Sequence, residues 1–129
     1  MLIFGHPWID SPQFRKVFSI EELGQLAKEE IALLEPVSES IALAQHCQNH
    51  SLPYVLTVGS VREALIANAL GATYLVCQQE DAMEIQPIAE RYLFDTKVLV
   101  LIDDDREIER MARFSIDGVV FPQAILHQT

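Results

Sequence analysis

Short, almost continuous apolar segments recur along this chain, and they limit its fold more than any other feature. The segments are rich in Val, Ile and Leu and do not alternate with polar residues, which is typical of strands buried on both faces in a parallel sheet. Five are clear and a sixth lies at the very start: 31–34, 54–58, 74–77, 98–102, 119–121 and 2–4.

Stretches with helical periodicity lie between these segments. The spacing of apolar residues predicts helices over 60–70, 81–94 and 104–114, with helices of poorer periodicity over 20–30 and 38–49. Alternating strands and helices predict right-handed crossovers and a parallel sheet. We therefore expect one α/β domain over residues 1–129, with repeated βα units and a five- or six-stranded parallel sheet in half-barrel or flavodoxin-like order. Within residues 1–30, the segment 14–18 is interpreted as a loop or a short edge strand.

An internal repeat supports this architecture. A shift of 44 positions places Val55 on Leu99 and Leu75 on Val119 without a gap. Forty-four residues equal two βα units of about 22 residues each, which is the length that a strand, a helix and two short loops require. The repeat predicts that Val55, Leu75, Val100 and Val119 are buried strand residues.

Composition excludes some partners. The chain has 9 Lys and Arg against 19 Asp and Glu, a net charge of −10, so nucleic acid and anionic membranes would repel its surface. Cys47 and Cys77 form no CxxC motif and are expected to be buried thiols in a reducing compartment. The N-terminus lacks a signal-peptide pattern and no apolar run is long enough for a membrane helix, so we expect a cytoplasmic protein.

Capping patterns explain many polar residues at the expected helix starts. Four segments match the capping box. In this motif the first side chain accepts a backbone N–H, and a Glu three positions later accepts the backbone N–H of the first residue. They begin at Ser19, Ser60, Asp81 and Asp104. We interpret Ser60, Asp81 and Asp104 mainly as helix caps.

Candidate ligand-binding residues follow from the parallel sheet. Ligands of such sheets gather at the carboxyl ends of the strands, where polar residues follow the apolar segments. The predicted set is His6, Trp8, Glu35, Gln78 and Asp103. Trp8 is interpreted first as a lid on the core and second as a platform for a ligand.

Two patterns could bind metal, and each has a structural alternative. Residues 97–108, with acids at 103–105, resemble the opening of a two-component receiver domain, which implies a Mg²⁺ site. A receiver domain also needs a phospho-acceptor Asp on a strand well downstream, and only 24 residues follow Asp105. We therefore prefer the interpretation of these acids as a helix cap to that of a Mg²⁺ site. His46 and His50 have the i, i+4 spacing of a zinc pair but lack a third ligand, and histidines also suit a last helical turn. No metal or cofactor is predicted.

Two strand entries resemble those of phosphate-binding (βα)-barrel enzymes. They are Leu-Gly-Ala-Thr-Tyr-Leu-Val-Cys from Leu70 and Ile-Asp-Gly-Val-Val-Phe from Ile116, and the first is similar to thiamin-phosphate synthase. The resemblance implies a barrel-type architecture. The activity of that family would need glycine-rich phosphate turns and a catalytic Lys or Arg at a strand end, and we expect neither, with Lys only at positions 16, 28 and 97. The chain also resembles a small group of conserved bacterial proteins of unassigned function, which implies no role.

Two functions remain open. The first is a non-catalytic domain that binds a small molecule or another protein, and it is preferred because no nucleophile motif, acid–base pair or cofactor fingerprint is present. The second is a small enzyme with a strand-end site of (βα)-barrel type that uses His6, Glu35 and the acids from Asp103 onward. We also predict a homo-oligomer, most simply a dimer, because a short open sheet has two edges and half-barrel order would leave an apolar concave face uncovered.

Overall fold

The computed structural model describes residues 1–127, which form eight strands and five helices. The strands are β1 (Leu2–Phe4), β2 (Gln13–Lys16), β3 (Glu30–Leu34), β4 (Tyr54–Thr57), β5 (Tyr74–Cys77), β6 (Lys97–Leu101), β7 (Gly118–Val120) and β8 (Ile125–Leu126). The helices are α1 (Ile20–Leu23), α2 (Ile41–Asn49), α3 (Val61–Leu70), α4 (Gln79–Arg91) and α5 (Glu107–Arg113), with short 3₁₀ helices at Val37–Glu39 and Pro122–Ala124. Among these helices, none has the length and apolar character needed to cross a membrane.

All eight strands pair in parallel in one curved sheet that forms a half-barrel, in the order β1-β7-β6-β5-β4-β3-β2-β8. The predicted α/β class and parallel sheet are confirmed, and the half-barrel order replaces the flavodoxin-like alternative. The predicted count of five or six strands is wrong. Strand β2 lies inside the sheet between β3 and β8, and β8 has only two residues, too few to form a recognisable apolar run.

The concave face of the sheet is filled by the chain's own side chains. The rings of Phe4 and Phe14, from strands near opposite ends of the sheet, lie 5.0 Å apart between centroids. The two ends also meet at Gly5, where φ is +86° and an added Cβ would stand 2.9 Å from the backbone nitrogen of Ala124. An uncovered concave face was one of the two reasons for predicting a dimer, and that reason is wrong. The buried cluster on this face comprises Phe4, Phe14, Leu33, Val55, Val76, Leu99, Val120 and Ala124.

The convex face packs against the helices and explains the 44-residue repeat. Val55 and Leu99, which the repeat pairs, both point into the concave cluster, whereas their neighbours Leu56 and Val100 both belong to the convex cluster. Side chains alternate between faces along a strand, so a shared register preserves the face. The prediction that Val55, Leu75, Val100 and Val119 are buried is confirmed, since each is fully buried.

Two of the four predicted capping boxes are confirmed. The Ser19 hydroxyl accepts the backbone N–H of Glu22 at 3.2 Å, and the Ser60 hydroxyl accepts that of Glu63 at 3.1 Å. Helix α1 is short because it ends at Gly24 after a single turn. Helix α3 ends at Gly71, whose φ of +92° is a left-handed conformation that suits glycine.

The boxes predicted at Asp81 and Asp104 are wrong. Helix α4 begins at Gln79, so Asp81 lies within its first turn, and α5 begins only at Glu107. The Asp104 carboxylate accepts the backbone N–H of Arg106 at 2.9 Å. A short acidic side chain that bonds its own local backbone competes with the helix, which delays the start of α5.

Candidate functional site

Polar side chains from five consecutive strands surround one cavity at the carboxyl edge of the sheet. Lys16 ends β2, Glu35 follows β3, Thr57 ends β4, Gln78 follows β5, and Asp103 lies two residues beyond β6. All five line a cavity of about 550 Å³, here called the strand-end pocket. The carboxyl ends of parallel strands share one edge of the sheet, which brings these residues together although they lie far apart in the chain.

The floor of the strand-end pocket is apolar and belongs partly to the core. Leu33 and Val76 line the pocket from below and are buried members of the concave cluster. Leu101 and Ile125 pack against that cluster and also line the pocket. A floor built from core side chains is held in fixed rotamers, so the polar side chains around the pocket stand on a rigid base.

An ion pair and a hydroxyl hold one wall of the pocket. The Lys16 ammonium lies 3.0 Å from Oε2 of Glu35, and the two side chains are 21% and 30% exposed. The Thr57 hydroxyl donates to Oε1 of Glu35 at 2.8 Å. Both oxygens of Glu35 therefore have partners, which holds the carboxylate in one orientation beside Lys16.

The other wall is formed by the starts of α4 and α5. Gln79 lines the pocket and is fixed at both ends of its amide, since its Nε2 donates to Glu107 at 2.9 Å and its Oε1 accepts from Arg110 at 2.9 Å. Gln78 and Asp103 are exposed at the rim. This wall thus combines a rigid amide with two solvent-facing polar groups.

His6 and Trp8 stand apart from the strand-end pocket. His6 Nε2 lies 3.4 Å from Asp105, and His6 Nδ1 accepts the backbone N–H of Trp8 at 3.1 Å, so a neutral ring carries its proton on Nε2. His6 lines a separate cavity with Gly5. The side chain of Trp8 is 87% exposed, so its interpretation as a lid on the core is wrong. Of the predicted ligand-binding residues, the fold brings Glu35, Gln78 and Asp103 together and leaves His6 and Trp8 outside.

The three consecutive acids do not converge on one point. Asp103 lines the pocket, Asp105 faces His6, and Asp104 pairs with Arg106, whose guanidinium holds the pKa of Asp104 down to about 2. Within residues 1–127 no group of three or more His, Cys, Asp or Glu side chains is placed to hold a metal ion.

The predicted histidine pair forms a local contact. The rings of His46 and His50 are stacked with centroids 4.1 Å apart. The ring of His50 is tied to the last turn of α2, since its Nδ1 lies 2.9 Å from the carbonyl oxygen of His46. This arrangement matches the structural alternative of histidines in a last helical turn.

Both cysteines are buried thiols. Burial raises the pKa of Cys77 to about 12 and also raises the pKa of Cys47. The Cys77 thiol donates to the carbonyl oxygen of Leu99 at 3.6 Å. The thiolate is the reactive form of cysteine, so neither residue is an activated nucleophile at neutral pH.

Lys16, Thr57 and His127 are polar pocket residues that sequence reasoning missed. The expectation that no lysine stands at a strand end is wrong, because Lys16 is the last residue of β2. It was overlooked because segment 14–18 was interpreted as a loop or an edge strand. The signal available in the sequence was a pair of apolar residues, Phe14 and Val17, around Arg15 and Lys16, and four residues are a weak pattern.

Comparison of the chain with models of known protein families and with curated protein sequences found no match. The strand-end pocket is therefore the observation from which a function is proposed.

Proposed function

We propose that this protein is a non-catalytic binding domain for a small polar metabolite, which it holds in the strand-end pocket. The observation that carries the proposal is the arc formed by Lys16, Glu35, Thr57, Gln78 and Asp103 around one cavity with an apolar floor. Metabolite sites in proteins combine these features: a concave shape, apolar walls and a few placed polar groups. The volume of about 550 Å³ suits a ligand the size of a metabolite.

Binding without a chemical step is supported by the state of the polar groups. Glu35 accepts from Thr57 and pairs with Lys16, so its two oxygens serve to fix the pocket wall. The nearest thiol, Cys77, is held neutral by burial, which raises its pKa to about 12. These groups fit recognition of a ligand's charges and hydrogen bonds better than proton transfer or nucleophilic attack.

A small enzyme with a strand-end site of (βα)-barrel type is the second candidate, and one observation favours it. Lys16 stands at a strand end beside a carboxylate, and the barrel resemblance implies a Lys or Arg at a strand end. In this case the ligand would be a small metabolite, phosphorylated or not, that the protein converts. The two candidates differ in whether a bound ligand is chemically changed.

We further propose that the protein works in the cytoplasm, without nucleic acid or membrane partners. Cys47 and Cys77 are free and buried, as expected in a reducing compartment. The net charge of −10 disfavours contact with phosphate backbones and anionic lipids.

A metabolite panel read by thermal shift tests the proposal. A ligand present at one hundred times its Kd stabilises its target by about 2.7 kcal/mol, which a melting curve resolves. Proton NMR of the mixture then shows whether a hit stays unchanged, as binding predicts, or is consumed, as the enzyme candidate predicts.

A pocket-blocking variant locates the site of any hit. Gln78→Trp places a large ring at the exposed rim and should abolish the response, whereas Gln45→Trp, at an exposed position of α2, should leave it intact. A panel without any hit, or hits that survive Gln78→Trp, would refute binding in the strand-end pocket.

A further inference from the structure

We propose that a second cavity, which adjoins the strand-end pocket, binds a small primary amine that carries an apolar ring. The cavity has a volume of about 460 Å³ and lies at the carboxyl ends of β3, β4 and β5. It is here called the side chamber, and the residues that line it but not the strand-end pocket include Phe18, Val37, Val58, Cys77 and Asp81. Because these residues are its own, the inference goes beyond the proposed function and can be tested apart from it.

Apolar side chains form much of the wall of the side chamber. Val37, Val58 and Cys77 line it and are buried, so the core holds them in place. The side chain of Phe18 also lines it and is 57% exposed. The backbone of Phe18 is anchored, since its N–H donates to Oε2 of Glu22 at 2.7 Å. An exposed aromatic ring on an anchored segment can pack against a ring of the ligand.

Asp81 supplies a negative charge that has no partner. Within residues 1–127 its carboxylate has no hydrogen bond and no ion pair, although the side chain is half-buried. Burial, together with the charge of the nearby Asp81 carboxylate, raises the pKa of the Cys77 thiol to about 12. Both residues line the side chamber, so the charge stands beside its apolar wall. A half-buried carboxylate without a partner favours a ligand that brings a positive charge.

The other two carboxylates of the side chamber already have partners. Both oxygens of Glu35 are engaged, one of them by the Lys16 ammonium at 3.0 Å. Oε1 of Glu63 accepts the backbone N–H of Gly59 at 2.8 Å. The ammonium of a ligand is therefore directed to Asp81, and the apolar wall beside it takes the ring.

The charges of the side chamber disfavour an anion. Three of its described lining residues are carboxylates, and none is Lys, Arg or His. At the start of α3, the backbone N–H of Gly59 is taken by Glu63 and that of Glu63 by Ser60. Helix α4 carries Glu80 and Asp81 in its first turn, which offset the positive end of its dipole. A phosphate or a carboxylate would lose its hydration there without gaining a cationic partner.

A series of ring-bearing amines tests the inference. Benzylamine, 2-phenylethylamine and 3-phenylpropylamine are titrated into the wild-type protein by calorimetry at neutral pH, where all three are ammonium ions. Each is compared with the molecules in which a hydroxyl or a carboxylate replaces the ammonium, and with propylamine, which has no ring. We expect the best amine to bind at least tenfold more tightly than its alcohol, its carboxylate and propylamine.

Two variants with matched controls place the amine in the side chamber. Asp81→Asn should weaken the best amine at least tenfold, whereas Glu80→Gln removes an exposed carboxylate in the same turn of α4 and should change its affinity less than twofold. Phe18→Ala should weaken it at least threefold, and Phe114→Ala, at a similarly exposed ring outside the described lining, should leave it unchanged. If Asp81→Asn fails to fold, the comparison of each amine with its alcohol and carboxylate on the wild type still decides.

The outcomes separate this inference from the proposed function. Equal affinities for an amine and its alcohol, amine binding that survives Asp81→Asn, or no amine binding at millimolar concentration would each overturn the inference. A hit of the metabolite panel that is lost in Gln78→Trp but kept in Asp81→Asn belongs to the strand-end pocket, because Asp81 does not line that pocket. Amine binding that Asp81→Asn abolishes, beside a panel without other hits, would support the side chamber and refute the proposed function.

Discussion

The Lys16 ammonium lies 3.0 Å from the Glu35 carboxylate and joins the ends of two neighbouring strands, β2 and β3. A lysine and a glutamate nineteen positions apart in the chain thereby form one wall of a pocket. Thr57 completes the wall from the next strand, β4. The proposed binding function assigns this pair to the wall that a ligand contacts, and its contribution to stability can be measured separately.

A double-mutant cycle on this pair should give a small coupling energy. For Lys16→Met, Glu35→Gln and the double variant, we expect a coupling of about 0.2–1 kcal/mol in urea unfolding, because both groups retain contact with water. A coupling energy well above that range would show that the pair stabilises the fold, and would remove the reason to assign it a role in ligand binding.

Truncation of Val100 to Ala should lower the free energy of unfolding by about 1–3 kcal/mol. Val100 is fully buried on β6 and packs in the convex cluster under the helices, so the change leaves a partial cavity. Chemical denaturation measures the loss. Val61→Ala on α3 is the control, since Val61 is only partly buried and should cost less. Equal costs at the two positions would contradict the core described here.

The Asp104 carboxylate should give a pH-dependent contribution to stability. Its hydrogen bonds from the Arg106 guanidinium lower its pKa to about 2 from an ordinary value of 3.8. A lowered pKa in the folded state means that the contribution is complete above the ordinary pKa and is lost as the pH falls toward 2. The difference in urea midpoint between wild type and Asp104→Asn should therefore be constant above pH 4 and shrink below it.

The exposed Asp95→Asn variant is the control for that experiment, and no ion pair is recorded for Asp95 among residues 1–127. A difference between wild type and Asp104→Asn that stays the same down to pH 2 would show that the Arg106 contact does not stabilise the fold.

Replacement of Leu93 by Gly should stabilise the protein by about 0.5–1 kcal/mol. Leu93 follows the end of α4 with φ at +54°, a left-handed conformation, and its side chain is 84% exposed, so little burial is lost. Thermal and urea unfolding report the change. Leu52→Gly, at an exposed leucine without positive φ, should destabilise instead. A destabilising Leu93→Gly would indicate that the leucine side chain has a packing role.

The homodimer remains a prediction, although the concave face that suggested it is filled. The sheet edges remain a reason to expect self-association. Light scattering coupled to gel filtration should give about twice the chain mass of 14.6 kDa at micromolar concentration. A mass of one chain under these conditions would contradict the prediction.

Three of the five polar residues from which the site was built could be predicted before the fold was known. Glu35 and Gln78 directly follow their strands and Asp103 lies two residues beyond β6, and polar residues after apolar strands are expected at the carboxyl edge. Lys16 was missed because β2 has four residues, of which only Phe14 is apolar and buried. His6 and Trp8 were included because they follow β1, but the loop after β1 folds back through the bond between the Trp8 backbone and His6.

Helix starts also divide into those that the sequence predicted correctly and those that it did not. Ser19 and Ser60 cap their helices as their pattern predicts, whereas Asp104 matches the pattern equally well and does not. The Asp104 carboxylate accepts hydrogen bonds from Arg106, two positions later, instead of capping the helix. The capping-box pattern does not take this competing partner into account.

The sequence by itself determined the alternation of buried strands and amphipathic helices, because apolar periodicity is a local property that each segment carries independently. It also determined the shared register of β4 with β6 and of β5 with β7, through the 44-residue repeat. Only the tertiary structure decided the half-barrel order, the inclusion of β2 and β8, and the meeting of Lys16 with Glu35 and Thr57. The physical reason is that strand pairing and sheet curvature are non-local: they depend on how eight strands together fill one concave face.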